Sequence, residues 1–271
     1  MTLWEAVVLG IVQGLTEFLP ISSTAHLAIV PALLGWQNPD LAFKAVIQLG
    51  TLAAVLWYFR WDVITIVRDV FTNGPKARLG WMIAVGTVPV VIGGLWLKPQ
   101  IKHMNDSLLV MALALIGLAL VLGVAEWFAR RRPHGKELAD VGWREAIAVG
   151  CSQAVALIPG SSRSGCTIAG GLFFGLTRET AARFSFLLSL PAVFAAGMHE
   201  LVQQRHSLFA SEAVTWNLIV ATILSGIVGY ASIAFLLGYL KRHTLWVFIG
   251  YRLALGLLLL GLIATGRLGG S

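Results

Sequence analysis

Charge is scarce in this 271-residue chain. Asp, Glu, Lys and Arg make up 12% of it, against about a quarter of an average soluble domain, and that shortage excludes an ordinary soluble fold. Cysteine is nearly absent. Cys151 and Cys166 sit in apolar sequence and match no metal-ligand or disulfide spacing, so both read as small packing residues. Acids are scarcer than bases, thirteen against twenty, for a net charge of +7. Such an excess can mark nucleic-acid binding. Here the bases cluster in loops between apolar runs, so membrane topology explains them and no nucleic-acid partner is expected. The N-terminal run also lacks the basic flank and small-residue cleavage site of a signal peptide.

What the chain does have is long apolar runs. It is 57% hydrophobic, with a mean hydropathy of +0.80. Residues 107–125 and 214–240 carry no charge at all, and either run can cross a hydrocarbon core about 30 Å thick. Apolar windows bounded by charge give six spans, at 43–59, 80–97, 107–127, 183–200, 214–240 and 244–266. Two further apolar segments are interrupted. Residues 3–19 break at Pro20-Ile21-Ser22-Ser23-Thr24 before 27–36, and residues 146–158 break at Pro159-Gly160-Ser161-Ser162-Arg163-Ser164-Gly165 before 166–176. The trailing pieces are too short to cross. Broken helices of this kind persist at membrane depth where they are buried in protein or line a wet cavity. Both segments, 3–36 and 145–176, therefore read as re-entrant helical hairpins with polar tips.

The two hairpins resemble each other. "EAVVLGIVQ" at 5–13 and "EAIAVGCSQ" at 145–153 share E-A-x-x-x-G-x-x-Q. Each then reaches a proline and a Ser-Ser pair, at 20 and 22–23 and at 159 and 161–162. The chain thus reads as one membrane domain with two related halves, 1–128 and 142–267, each a hairpin plus three spans. An odd number of spans per half inverts the second half. The expected fold is an all-α polytopic membrane protein with an inverted-topology repeat, whose two tips meet near the bilayer midplane. Of the twenty Lys and Arg, thirteen fall to loops on one face and five (Lys44, Lys98, Lys102, Arg205 and Arg267) to the other. The positive-inside rule makes the first face cytoplasmic and places both termini outside.

Arg163 and Arg252 are the two bases that no loop claims, and Glu17 is the one acid deep within an apolar segment. An ionisable group at membrane depth is costly and marks function by default. The first tip gathers Glu17, Ser22, Ser23, Thr24 and His26: a base, hydroxyl nucleophiles and hydrogen-bond donors. Gln13 lies one helical turn before Glu17 on the same face. The second tip, "PGSSRSGCT", has the composition of an anion cradle. Gly160 and Gly165 permit close backbone approach, Ser161, Ser162, Ser164 and Thr167 offer hydroxyls, and the next half-helix presents free N–H groups. Arg163 adds a planar cationic fork suited to phosphate oxygens. Taken singly, each feature has a plain structural reading as a helix cap, a loop or a membrane ion pair. Caps alone do not account for an acid, an imidazole and an arginine at two matched breaks. The other five histidines, His103, His134, His199, His206 and His243, read as interfacial and without catalytic role, and the tryptophans as interface anchors.

With these motifs in hand, the sequence resembles the bacterial undecaprenyl-diphosphate phosphatases, the bacitracin-resistance phosphatases. "VQGLTEFLPISSTAH" at 12–26 is similar to that family's glutamate-rich motif, and "PGSSRSGCT" at 159–167 to its Pro-Gly-Ser-Arg-Ser motif. "FKAVIQLGTLAAV" at 43–55 is similar to a third shared stretch. Two positions depart from the pattern. Gln13 stands at the first acidic position, which argues against an obligatory base or metal ligand there, and Ala25 replaces a glycine. The resemblance implies Glu17, Ser23, His26, Arg163 and Thr167 as active-site positions, with Ser22, Thr24, Ser161 and Ser162 lining the pocket and Gln13 beside them. It implies a C55 isoprenoid diphosphate as substrate, cleaved to the monophosphate and inorganic phosphate at the outer face of the bacterial cytoplasmic membrane. That reaction recycles the carrier for peptidoglycan synthesis. Ser23 is the first choice of nucleophile with Glu17 as its base, and His26 the second, as phosphoryl acceptor or acid. No ligand-spaced acid cluster exists, so magnesium or calcium is expected to ride on the diphosphate, with Glu17 as the candidate protein ligand. No organic cofactor is expected. Oligomeric state is not legible, a homodimer being the simplest candidate. The rival reading is a transporter or flippase of anionic lipids, since broken helices meeting at the midplane also build secondary transporters.

Overall fold

The computed structural model describes residues 1–97, 100, 101, 104, 107–132 and 134–268. Lys98, Lys102 and His103 lie outside the described residues. Among those described, the chain is almost entirely helical, with one isolated bridge between Lys136 and Leu176.

Six helices are long and apolar enough to cross a membrane: α3 (Leu41–Tyr58), α5 (Ala77–Trp96), α6 (Leu108–Arg130), α9 (Arg178–Gln203), α10 (Glu212–Leu240) and α11 (Trp246–Ala264). They match the six apolar windows to within a few residues. Four of the six start at capping side chains. Asp40 accepts from the Phe43 N–H, and Ser107, Thr177 and Ser211 do the same for α6, α9 and α10. The outer surface is greasy, with Leu113, Leu120, Ile227 and Phe235 each more than half exposed. A soluble protein does not carry so continuous an apolar exterior, and a lipid-solvated one requires it. The protein is a multi-pass membrane protein.

The interrupted segments form two pairs of short helices, α1 (Leu3–Phe18) with α2 (Ser23–Leu34) and α7 (Trp143–Val155) with α8 (Arg163–Phe173). The matched glycines do matching work. A Cβ on Gly10 would lie 2.6 Å from the Ala221 carbonyl of α10, and one on Gly150 would lie 2.3 Å from the Gly86 carbonyl of α5. Each first half-helix therefore packs backbone to backbone on a span from the other half of the chain.

The structure also corrects the sequence in three places. Ser23-Thr24 and Arg163-Ser164 are not loop residues; they open α2 and α8. The two breaks align through Ser22 and Ser162, the N-caps, at φ of 76° and 71°. Their spacing is that of Glu5 to Glu145, so the Ser-Ser pairs are out of register by one and Ser23 corresponds to Arg163. A helix absent from the sequence reading, α4 (Arg60–Thr72), follows α3. Its charges resemble a loop, but its acids have partners, Asp62 in Lys76 and Asp69 in Arg68. Asp69 accepts from the Lys76 N–H at 2.9 Å and from Arg68, tying α4 to the turn before α5. Finally, Cys166 is buried but Cys151 is exposed on α7, so only the former is a packing residue.

Candidate active site

The two tips meet in the interior, and Glu17 is their junction. It closes α1 and is 6% exposed. Ser23 Oγ donates to its Oε2 at 2.6 Å, and Gln13 Nε2 donates to the same oxygen at 2.8 Å. Arg163, from the other tip, donates through Nη2 to Oε1 in an ion pair. One carboxylate oxygen is thus neutralised by a cation while the other accepts a hydroxyl proton. A hydroxyl on a carboxylate at this distance is the arrangement general-base activation needs. Arg163 uses one of its five N–H donors on Glu17 and keeps 22% of its side chain exposed. It has donors left for an anion.

The serines around them hold the backbone. Ser22 and Ser162 cap α2 and α8, accepting from the Ala25 and Gly165 N–H groups at 3.4 and 3.2 Å. Thr24 Oγ1 lies 3.0 Å from Ser22 Oγ and accepts from the Gly160 N–H across the junction. Ser164 donates back to the Leu19 carbonyl at 3.1 Å. Ser161 is buried, and its carbonyl accepts from Arg252 at 3.3 Å. Thr167 is fully buried one turn below Arg163, donating to its carbonyl at 2.7 Å and hydrogen-bonded to Ser185. The structure thus brings every sequence-nominated residue to one place, but splits them. Glu17, Ser23 and Arg163 converge by their side chains. Ser22, Thr24, Ser162 and Thr167 brace the elements that carry them.

His26 has both ring nitrogens engaged. Nδ1 lies 2.7 Å from the Ser22 carbonyl, which can only accept, so Nδ1 carries the proton. Nε2 lies 2.6 Å from the Tyr251 hydroxyl. Tyr251 escaped the sequence reading because a tyrosine in an apolar span reads as an interface anchor. Arg252 was noted there without a role. Fully buried, it donates to the carbonyls of Pro20 (3.2 Å), Gly160 (3.1 Å) and Ser161 (3.3 Å), and to Ala114 and Leu115 of α6. A guanidinium among carbonyls is a strong crosslink. It clamps both tips to one span. Its signal was available: an arginine inside an apolar run has to find partners.

For a divalent ion the donors are few. Among the described residues no three His, Cys, Asp or Glu side chains lie within reach of one ion. Both Glu17 oxygens are engaged, and the Oε1 of Gln13 is a buried acceptor without a partner. These two groups fit one edge of a hard cation whose remaining ligands are substrate oxygens and water.

A buried acid paired with a hydroxyl and an arginine, inside a helical membrane bundle, has the chemistry that a membrane hydrolase needs. Comparison with known proteins gives it a family. The family model described as "Bacitracin resistance protein BacA" matches residues 6–258. The chain is 59% identical over 280 aligned positions to an undecaprenyl-diphosphatase of Chlorobium phaeobacteroides, covering 99% of each protein. It is 57% identical to the protein of that name from Prosthecochloris aestuarii, covering 98% of this chain and 99% of the relative. Against the one from Chlorobaculum tepidum it is 56% identical, with 99% coverage of both. The chain belongs to the bacitracin resistance protein BacA family.

Proposed function

We infer that this protein is an undecaprenyl-diphosphatase, a membrane hydrolase that releases inorganic phosphate from undecaprenyl diphosphate and leaves the monophosphate. The observation that carries the reading is the Ser23 hydroxyl 2.6 Å from a Glu17 carboxylate whose other oxygen is held by Arg163. Anion transport alone needs no base beside a hydroxyl, and the relatives are named as diphosphatases rather than carriers.

In the mechanism we propose, Ser23 Oγ attacks the terminal phosphorus while Glu17 Oε2 takes its proton. The bond from that phosphorus to the bridging oxygen breaks, and the lipid monophosphate leaves with the bond's electron pair. Arg163 and the N–H groups opening α8 hold the phosphoryl oxygens and the charge that builds on them. Glu17 passes that proton to the leaving phosphate oxygen, then takes one from a water that attacks the phosphoseryl phosphorus. It returns this proton to Ser23 Oγ as the Oγ–P bond breaks and phosphate is freed. In this reading Thr24, Ser161 and Ser162 border the head group, and Thr167 supports Arg163. His26 is a support of the Ser22 backbone rather than a nucleophile, since neither of its nitrogens is free. A magnesium or calcium ion, when bound, would neutralise diphosphate oxygens, with Glu17 and Gln13 as its protein neighbours.

The loop charges support a bacterial cytoplasmic membrane with the reaction site open to the outer face. They also support the inverted repeat of two halves. Purified protein in detergent, given undecaprenyl diphosphate and assayed for phosphate, tests the activity. Labelled substrate followed by denaturation and digestion tests the nucleophile. A phosphoseryl adduct at Ser23 is expected, whereas an acid-labile adduct at His26 would overturn the assignment.

A further inference from the structure

We propose that the apolar groove between α3, α4, α5 and α9 carries the polyisoprenoid tail of the substrate, leading it away from the head group at Arg163. This rests on the diphosphatase reading and adds where the hydrocarbon goes.

The starting observation is a wall shared by two cavities. Arg163 lines a narrow void together with Phe18, Thr51, Leu52, Val55, Ser189 and Val193. Beyond Leu52 lies a groove of about 620 Å³, lined among others by Leu56, Val63, Ile66, Ala84, Thr87 and Leu190. Leu52 borders both spaces, and α9 gives successive residues to them, Ser189 to the void and Leu190 to the groove. A second apolar groove, of about 550 Å³, runs between α3 and α10 past Ala53 and Trp57. It shares no lining residue with the void at Arg163. Only the first groove starts one side chain from the catalytic arginine.

Its chemistry selects hydrocarbon. Thr87 is the one polar side chain in the lining, and its hydroxyl is turned onto the Ile83 carbonyl at 2.8 Å. Nothing there can bind a head group. The short helix α4 lines it at the end where α3 passes to α5, so the groove follows the bundle from the tips toward α4. A head group held between the tips leaves a long tail that has to exit sideways. In lipid that tail gains nothing from apolar burial as such, because its surroundings are already apolar. The groove therefore acts by shape and dispersion contacts, and blocking it is felt as a clash that grows with tail length.

Chain length is the readout. Ala84 is exposed within the groove and Ala53 within the other one, so Ala84→Trp and Ala53→Trp fill each space without touching the core. Ala84→Trp is expected to raise KM for undecaprenyl diphosphate roughly tenfold, the scale of an overpacked contact. It should leave unchanged the hydrolysis of a two-unit isoprenoid diphosphate, too short to fill the groove. Ala53→Trp should alter neither. An equal effect on both substrates, no effect on either, or a length-dependent effect from Ala53→Trp alone overturns the proposal. Wild-type protein that releases phosphate from neither substrate instead overturns the diphosphatase reading. A readout independent of turnover is an undecaprenyl diphosphate bearing a photoreactive group in mid-tail. It should label peptides of α4 or α5, and labelling confined to α10 would sink the tail assignment.

Discussion

Ser23 and Arg163 occupy corresponding positions, each one residue after a left-handed serine cap, and both reach the carboxylate of Glu17. The same local geometry thus delivers a hydroxyl from one tip and a cation from the other. Glu17 itself has no counterpart: at its matched position the second hairpin carries Leu157. The difference between the two breaks lies in Glu17, Ser23 and Arg163.

Ser23→Ala and Glu17→Gln should each lower kcat by about 10²-fold or more, the usual scale for losing a nucleophile's base or the nucleophile. Because the two act as one unit, the double variant should lose little beyond either single one. Steady-state phosphate release on all three variants measures this. Additive losses would show that the Ser23–Glu17 contact is not the reacting pair.

Arg163→Lys should not restore full activity. A lysine keeps the charge but not the fork that can hold Glu17 and a phosphoryl oxygen together. We expect about a 10²-fold loss in kcat/KM for Arg163→Ala, by analogy with a lost oxyanion donor, and only partial recovery in the lysine variant. Full recovery would reduce Arg163 to a point charge.

Tyr251→Phe keeps the ring beside His26, whose centroid lies 5.6 Å away with the planes 8° apart, and removes only the hydroxyl. The expected result is a fall in kcat of about tenfold with KM unchanged, the loss of one neutral hydrogen bond. Nitrogen NMR of labelled histidine should show the Nε2 signal of His26 move while Nδ1 stays protonated by its contact with the Ser22 carbonyl. An unmoved Nε2 signal would remove Tyr251 from the site.

Arg252→Met should destabilise the protein as a whole. It strands the Pro20 and Gly160 carbonyls, one from each tip, in the interior, and each unsatisfied buried group costs about 1–3 kcal/mol. A drop of several degrees in the thermal midpoint is expected, with activity lost in step at temperatures where the variant still folds. A stable variant of normal activity would mean that the tips hold together without the clamp.

A cysteine at position 23, introduced by Ser23→Cys in a background lacking Cys151 and Cys166, should react with a membrane-impermeant thiol reagent added outside intact cells. Labelling only from the cytoplasmic side would reverse the proposed orientation of the site.

Most of this was legible before the fold was known, and the reason is physical. In a chain so short of charge, Glu17 and Arg163 stand out because lipid makes each of them costly, and prolines and serines beside them mark where helices break. Span positions followed from the same scarcity. Three things were not legible. Helix α4 carries Arg60, Asp62, Arg68 and Asp69 within thirteen residues, which resembles a loop unless its contacts are known. The register of the tips depended on which serine takes the left-handed cap, and a Ser-Ser pair does not say. Tyr251 sits 225 residues from His26, and only packing reveals that pairing.

The position of Arg252 in the chain also governs when the enzyme comes into being. Both hairpins and five of the six long spans precede α11, so a nascent chain can insert nearly everything while its tips remain unclamped. The residue that gathers Pro20, Gly160 and Ser161 arrives with the final span, together with the tyrosine that engages His26. Assembly of the reaction centre is therefore coupled to completion of the bundle. A ribosome-bound or C-terminally truncated intermediate would display Ser23 and Glu17 in the membrane without the clamp that gathers the two tips.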